Sequence, residues 1–128
     1  MTYLLDTHTF LWFINNDNNL SQTAKSLIEN STDPIFISIA SFWEIGIKVS
    51  LGKLSIPTPF DSFIGQQLAI NKFSSLGISL YHIEYMMKLP FHHRDPFDRL
   101  IIAQALSENY IIIGKDFIFD NYGVKRHW

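Results

Sequence analysis

A chain of 128 residues in which 47% are hydrophobic, 15% aromatic and 17% charged makes one folded domain, too apolar for a disordered polymer and greasy enough to expect a protein partner. Its formal charge of −2 offers no overall attraction to a polyanion, so a nucleic acid would have to be drawn by a local patch. The absence of cysteine excludes disulfides, thiolate metal sites and cysteine nucleophiles. The opening "MTYLLDTHTFLWFINN" has neither the basic start nor the small-residue cleavage site of a secretion signal, and no apolar run reaches membrane-spanning length. A soluble, cytoplasmic protein is expected.

In chain order, "TYLL" predicts a strand ended by Asp6, and "THTFLWFIN" a helix after it. Ser21 caps a second helix in "SQTAKSLIEN", "PIFISI" is the next strand, and "SFWEIGIKVSLGKL" a helix fading near Gly52. Pro57 and Pro59 mark a turn before the helical spacing of "FDSFIGQQLAINKF". "GISLYHI" is read as holding a short strand and "IEYMMKL" as a brief helix stopped by Pro90. The longest helix runs from Pro96 to about Asn109, "YIIIG" is a buried strand, and an edge strand is expected around Val124. Short apolar runs alternating with helical patterns define an α/β fold with a mostly parallel sheet in a single domain spanning residues 1–128.

The acids carry the chemistry. Asp95 before Pro96 is a good helix cap, which places Asp98 at the third helical position. Asp98 also heads an apolar stripe of Ile101, Ile102 and Ala105, and a carboxylate at the top of a buried face needs a partner. Asp6 and Asp116 each follow a strand; either can be an ordinary cap, yet both lie at the carboxyl ends of strands, where open α/β sheets bind ligands. Glu44 shares a narrow polar stripe with Ser41 and Lys48 among Phe42, Trp43, Ile45, Ile47 and Val49. An ion pair of Glu44 with Lys48 is worth only about 0.2–0.5 kcal/mol in an isolated helix. The apolar flanks favour a polar cavity instead. Carboxylates gathered in one pocket repel unless a cation joins them, and oxygen-only ligation suits Mg²⁺ or Mn²⁺ rather than zinc. His92 and His93 are read as solvated loop residues and His8 as a helix-start residue.

Four blocks, "YLLDTHTFLWF", "SIASFWEIGIKVSLGKL", "HRDPFDRLIIAQA" and "GKDFIFDNYGV", resemble in order and spacing the PIN-domain ribonucleases of the VapC-like toxin type. The likeness runs from Tyr3 to about Val124. It implies a three-layer α/β/α sandwich and a site of Asp6, Glu44, Asp98 and Asp116 holding one or two Mg²⁺ or Mn²⁺ ions, with Asp95 in the surrounding motif. Thr7 and Ser41 are candidates to supply hydroxyls near the acids and equally plausible helix caps. It implies an RNA substrate, a homodimer, and a cognate antitoxin covering a groove to which some of Phe10, Leu11, Trp12, Phe13 and Ile14 contribute. One departure concerns the residue two before the last aspartate, often serine or threonine in such families and here Gly114, which bears on how tightly Asp116 holds metal.

The fitting chemistry is metal-assisted phosphodiester hydrolysis by water, which needs no side-chain nucleophile. Five of the ten basic residues, Arg94, Arg99, Lys115, Lys125 and Arg126, are interleaved with the later acids. They are either ordinary surface charge or a phosphate-binding rim, in which Arg99, Lys115 and, on its own helix, Lys48 are the candidates. An aspartyl-phosphate mechanism needs a second aspartate two residues after Asp6, where His8 stands. The rival that remains is a catalytically silent protein-binding module whose acids are helix caps.

Overall fold

Five short strands, all parallel, form the centre of the computed structural model, which describes residues Met1 to Trp128. They are β1 (Tyr3–Leu5), β2 (Ile35–Ser38), β3 (Ser74–Leu76), β4 (Ile111–Ile113) and β5 (Arg126–His127), in the spatial order β3-β2-β1-β4-β5. Tyr3 pairs with Ile35 on one side and Ile111 on the other. The chain therefore builds outward from β1 through β2 to β3, then crosses back to lay β4 against the free side of β1. That reversal opens a crevice beyond the carboxyl ends of β1 and β4, the place where such sheets bind ligands.

The central strands are uniformly apolar because both faces of the sheet are covered. Tyr3, Leu5, Ile111 and Ile113 point into one core with Phe10, Phe42 and Ile45. Leu4 and Ile112 point into the other with Leu100, Ile101 and Phe119. Helices α1 (Thr7–Ile14), α2 (Gln22–Asn30), α3 (Ile39–Ser50) and α4 (Phe60–Asn71) contribute mainly to the first core, and α5 (Leu80–Met87) and α6 (Pro96–Glu108) to the second. The α/β/α sandwich expected from the sequence is the observed architecture.

Two local expectations are corrected. The strand expected in "GISLYHI" lies earlier, at Ser74–Leu76, where it pairs with β2 from Phe36↔Ser74 to Ser38↔Leu76. The following residues are helical from Leu80 because Ser79 starts a capping box: its hydroxyl accepts from the His82 backbone N–H, and its own N–H donates to His82 Nδ1. The edge strand expected around Val124 is Arg126–His127, and Val124 itself is buried in the second core.

Candidate active site

Asp6 leaves β1 and caps α1, with Oδ1 accepting the Thr9 backbone N–H at 2.8 Å. It is 5% exposed. Burial pushes its carboxyl pKa above the usual range, outweighing the Thr9 hydrogen bonds, and the nearby Asp116 charge adds to the rise. Oδ2 lies against Gly114, so closely that a Cβ built there would sit 2.8 Å from it. The missing hydroxyl residue thus has a steric reason: the space a side chain at 114 needs belongs to Asp6.

Asp116 follows β4 and caps a 3-10 turn over Phe117–Tyr122, its Oδ1 accepting from the Ile118 N–H at 3.0 Å. Asp6 and Asp116 line one cavity of about 370 Å³ together with His8, Trp12, Lys115 and Phe117. Neighbouring strands of the sheet bring these two acids together across a gap of 110 residues in sequence.

Asp95 caps α6 through Oδ1, accepting from the N–H groups of Phe97 (2.9 Å) and Asp98 (3.1 Å), with Pro96 in the first turn. This fixes where Asp98 leaves the helix. Burial is the main reason the Asp98 carboxyl is pushed up to about 6; the Asp95 and Asp6 charges also raise it, and a hydrogen bond from His93 opposes them. Asp98 is therefore within electrostatic reach of Asp6. That hydrogen bond, His93 Nε2 to Asp98 Oδ2 at 2.8 Å, corrects the reading of His93 as a solvated loop residue. The loop folds back because the His93 N–H donates to the Tyr122 hydroxyl at 2.8 Å. A histidine five positions before a first-turn acid, across a proline bend, was the available signal. His92 is exposed, as expected, with its ring edge-on to Tyr122.

Glu44 is buried on α3 at 8% exposure, with Oε2 3.3 Å from Lys48 Nζ and Oε1 without any hydrogen-bond partner. One turn earlier, the Thr7 hydroxyl donates to Ser41 Oγ at 2.9 Å, tying α3 to the start of α1. The Trp43 ring meets Phe97 edge-on at 5.1 Å, tying α3 to the start of α6. Glu44 is thereby carried on the helix that bridges the element after Asp6 and the element bearing Asp98.

Arg99 does not rim the site. It is 5% exposed, and its guanidinium donates to the carbonyls of Pro90 (2.8 Å), Met86 (3.1 Å) and Leu89 (3.3 Å). A planar five-donor group can reach several carbonyls in and beyond the last turn of α5 at once, of which Met86 already accepts the Leu89 N–H, so Arg99 binds the loop before α6 instead of a phosphate. Lys115 is exposed at the cavity, its ammonium 5.9 Å from the Trp12 ring centroid.

No three acidic or histidine side chains stand close enough to clasp one ion together. Asp6 and Asp116 line the cavity as separate carboxylates, whereas Asp98 and Glu44 are not among its lining residues. The chemistry of these acids nonetheless fits a hard divalent cation: every donor is a carboxylate oxygen, burial dominates the environment of Asp6 over the more distant basic groups, and Glu44 Oε1 is a buried acceptor with nothing to accept.

A parallel α/β/α sandwich with acids on either side of its switch point is the PIN architecture, and the chain belongs to the PIN domain family, whose model matches residues 3–125. Among curated proteins it is 29% identical over 116 residues to ribonuclease VapC22 of Mycobacterium tuberculosis, covering 90% of this chain and 87% of that one. Among solved structures it is similar in fold to VapBC2 from Rickettsia felis bound to a DNA fragment from their promoter, with a TM-score of 0.74, 19% identity, and 100% and 99% of the two chains covered. It is also similar to VapBC-1 from nontypeable Haemophilus influenzae, with a TM-score of 0.68, 16% identity, and 99% and 97% covered. No helix is long and apolar enough to cross a membrane.

Proposed function

We propose that this protein is the toxin of a toxin–antitoxin pair, an endoribonuclease that depends on Mg²⁺ or Mn²⁺ and acts in the cytoplasm. The observation that carries the reading is the juxtaposition of buried Asp6 with Asp116 in one cavity, with Asp98 in electrostatic reach. The family and the ribonuclease relative supply the reaction class.

In this proposal Asp6, Asp98 and Asp116 would hold an ion directly or through bridging water, since the three carboxylates do not close on one point, and Glu44 would hold a second ion or orient the attacking water. A bound divalent ion supplies positive charge that makes water nucleophilic near neutral pH and stabilises the leaving oxygen. The chain's own part is positioning. Thr9 fixes Oδ1 of Asp6, Asp95 fixes the helix start that carries Asp98, and His93 holds one oxygen of Asp98. Lys48 offsets the Glu44 charge in the metal-free protein and, with Lys115, is the candidate phosphate contact.

A cognate antitoxin and a second copy of the chain are the proposed protein partners. In support of self-association, α3 and its cap expose an apolar row at every fourth position: Ile39 (41%), Trp43 (60%), Ile47 (37%) and Leu51 (63%). On α1, Phe10 and Leu11 are buried while Phe13 and Ile14, away from the residues lining the Asp6–Asp116 cavity, are only partly so, leaving apolar surface for an antitoxin segment.

One observation favours the rival silent-module reading: Asp6, Asp95 and Asp116 all serve as caps. The partner-free protein separates the two. It is expected to cut single-stranded RNA with Mg²⁺ or Mn²⁺, to stop with EDTA, and to lose cleavage and growth arrest in Asp98→Asn while remaining folded. Cleavage by Asp98→Asn at the parent rate would leave only the capping role.

A further inference from the structure

The cavity beyond β1 and β4 has more in it than its acids. The exposed His8 ring lies on Trp12, one helical turn on, with centroids 5.6 Å apart and planes at 27°. The Lys115 ammonium is 5.9 Å from the centroid of the same indole, which also meets the Trp128 ring at 5.8 Å. Phe117, next to Asp116, lines the same cavity and is 75% exposed, although a capped 3-10 turn holds its backbone in place. Hydrolysis of a phosphodiester requires none of these rings.

Resting on the ribonuclease reading, we infer that this cavity is a nucleobase subsite. A base adjoining the phosphate presented to Asp6 and Asp116 stacks on the His8–Trp12 and Phe117 surfaces, while Lys115 takes the charge of a flanking phosphate. The mixture of groups selects the occupant. An apolar protein side chain entering here would strip water from the exposed Asp116 carboxylate and the Lys115 ammonium and return no hydrogen bond. A nucleotide instead brings a flat π face for the rings and an anion for the lysine at once. Stacking accepts any base, so the subsite adds affinity and register more than sequence preference.

The test uses the full chain, a labelled single-stranded oligoribonucleotide that the parent cuts with Mn²⁺, and copies made abasic at each position flanking the cut. Phe117→Ala is expected to raise KM by roughly 5- to 150-fold with kcat little changed, as base–aromatic stacking predicts, and Phe117→Trp to restore it. At one flanking position the abasic copy should lose the same factor in the parent and lose nothing further in Phe117→Ala. Equal KM for parent and Phe117→Ala, or equal losses on intact and abasic RNA, would overturn the subsite; retained RNA kinetics with weakened inhibition by an antitoxin would give Phe117 to a protein contact instead. Equilibrium anisotropy on the same oligonucleotides in EDTA needs no cleavage. If the parent binds but never cuts, the ribonuclease reading alone fails; if binding shows no dependence on Phe117 or on the base, the subsite fails.

Discussion

Asp6 Oδ2 occupies the space where a side chain at Gly114 would begin: a Cβ there would stand 2.8 Å from that oxygen and 3.1 Å from Asp6 Cγ. Gly114 is buried in the bend between β4 and Asp116, and the opposing wall is the Phe119 ring, 3.3 Å from the same point. Oδ1 of Asp6 is tied to Thr9, and the Phe119 ring is buried in the second core, so both neighbours resist displacement.

Gly114→Ala and Gly114→Ser are therefore expected to displace the Asp6 carboxylate, at an overpacking cost of about 1–3 kcal/mol. Mn²⁺ affinity, read by titration calorimetry, should fall roughly tenfold or more, which corresponds to ~1.4 kcal/mol. A serine variant binding Mn²⁺ more tightly than the parent would mean that the family's hydroxyl is accommodated and the contact with Asp6 is unimportant.

Asp98 gives a pH signature. Its folded-state carboxyl, pushed up to about 6 from 3.8, holds a proton more tightly than the unfolded chain does. Its contribution to stability is thus fully present below the unfolded value and is lost as pH rises through about 6. A shift of this size corresponds to roughly 2–3 kcal/mol. In EDTA, Asp98→Asn should melt above the parent near neutral pH, with the advantage vanishing toward about pH 4. Asn keeps an oxygen to accept from His93, so the loop contact survives. A difference in Tm independent of pH would contradict this account.

Glu44 and Lys48 are a mismatched pair, one carboxylate oxygen with a cation and the other with nothing. Lys48→Met removes the only compensation for a buried charge and is expected to cost about 1–3 kcal/mol in metal-free protein, by urea unfolding. Added Mn²⁺ should recover most of it if Glu44 faces the metal site. Glu44→Gln should fold normally and lose most RNA cleavage. Full activity in Glu44→Gln would restrict this residue to its ion pair.

Arg99 ties three carbonyls ahead of α6. Arg99→Met removes the side-chain donor from all three carbonyls, leaving Met86 only its backbone partner Leu89, at an expected cost of about 1–3 kcal/mol, and should free the His93 loop. Arg99→Lys, with a point charge in place of a fork, should recover only part. Hydrogen exchange of the His93 amide, now bonded to Tyr122, reports the change directly. Unchanged exchange in Arg99→Met would show that Tyr122 alone holds the loop.

The apolar row on α3 predicts an association state. Ile47→Asp with Leu51→Asp, both on exposed positions, should convert a dimer to a monomer in sedimentation velocity without lowering Tm. A parent that sediments as a monomer at micromolar concentration would remove this face from the assembly.

Much of the fold was legible because it depends on local rules. The apolar runs "YLL" and "III" could only be strands buried on both faces, Ser21 and Asp95 announced helix starts, and the alternation of types demanded a parallel sheet. The strand at Ser74–Leu76 was missed because two of its three residues are serine and it lies at the sheet edge, where burial imposes no pattern. Arg99 was misplaced for a related reason. Charge suggests exposure, and only the fold of the preceding loop turns three carbonyls toward it.

By itself, the sequence determined which residues could do chemistry: an all-oxygen set of carboxylates, no thiols, and strands ending in Asp6 and just before Asp116. Only the tertiary structure decided that β1 and β4 are neighbours, which puts those two acids in one crevice, that Gly114 must lack a side chain for Asp6 to fit, and that His93 reaches Asp98. The physical reason is range. Caps and strands follow from interactions within a few residues, whereas strand order and loop docking follow from how two cores close on opposite faces of the sheet, a property of the whole chain.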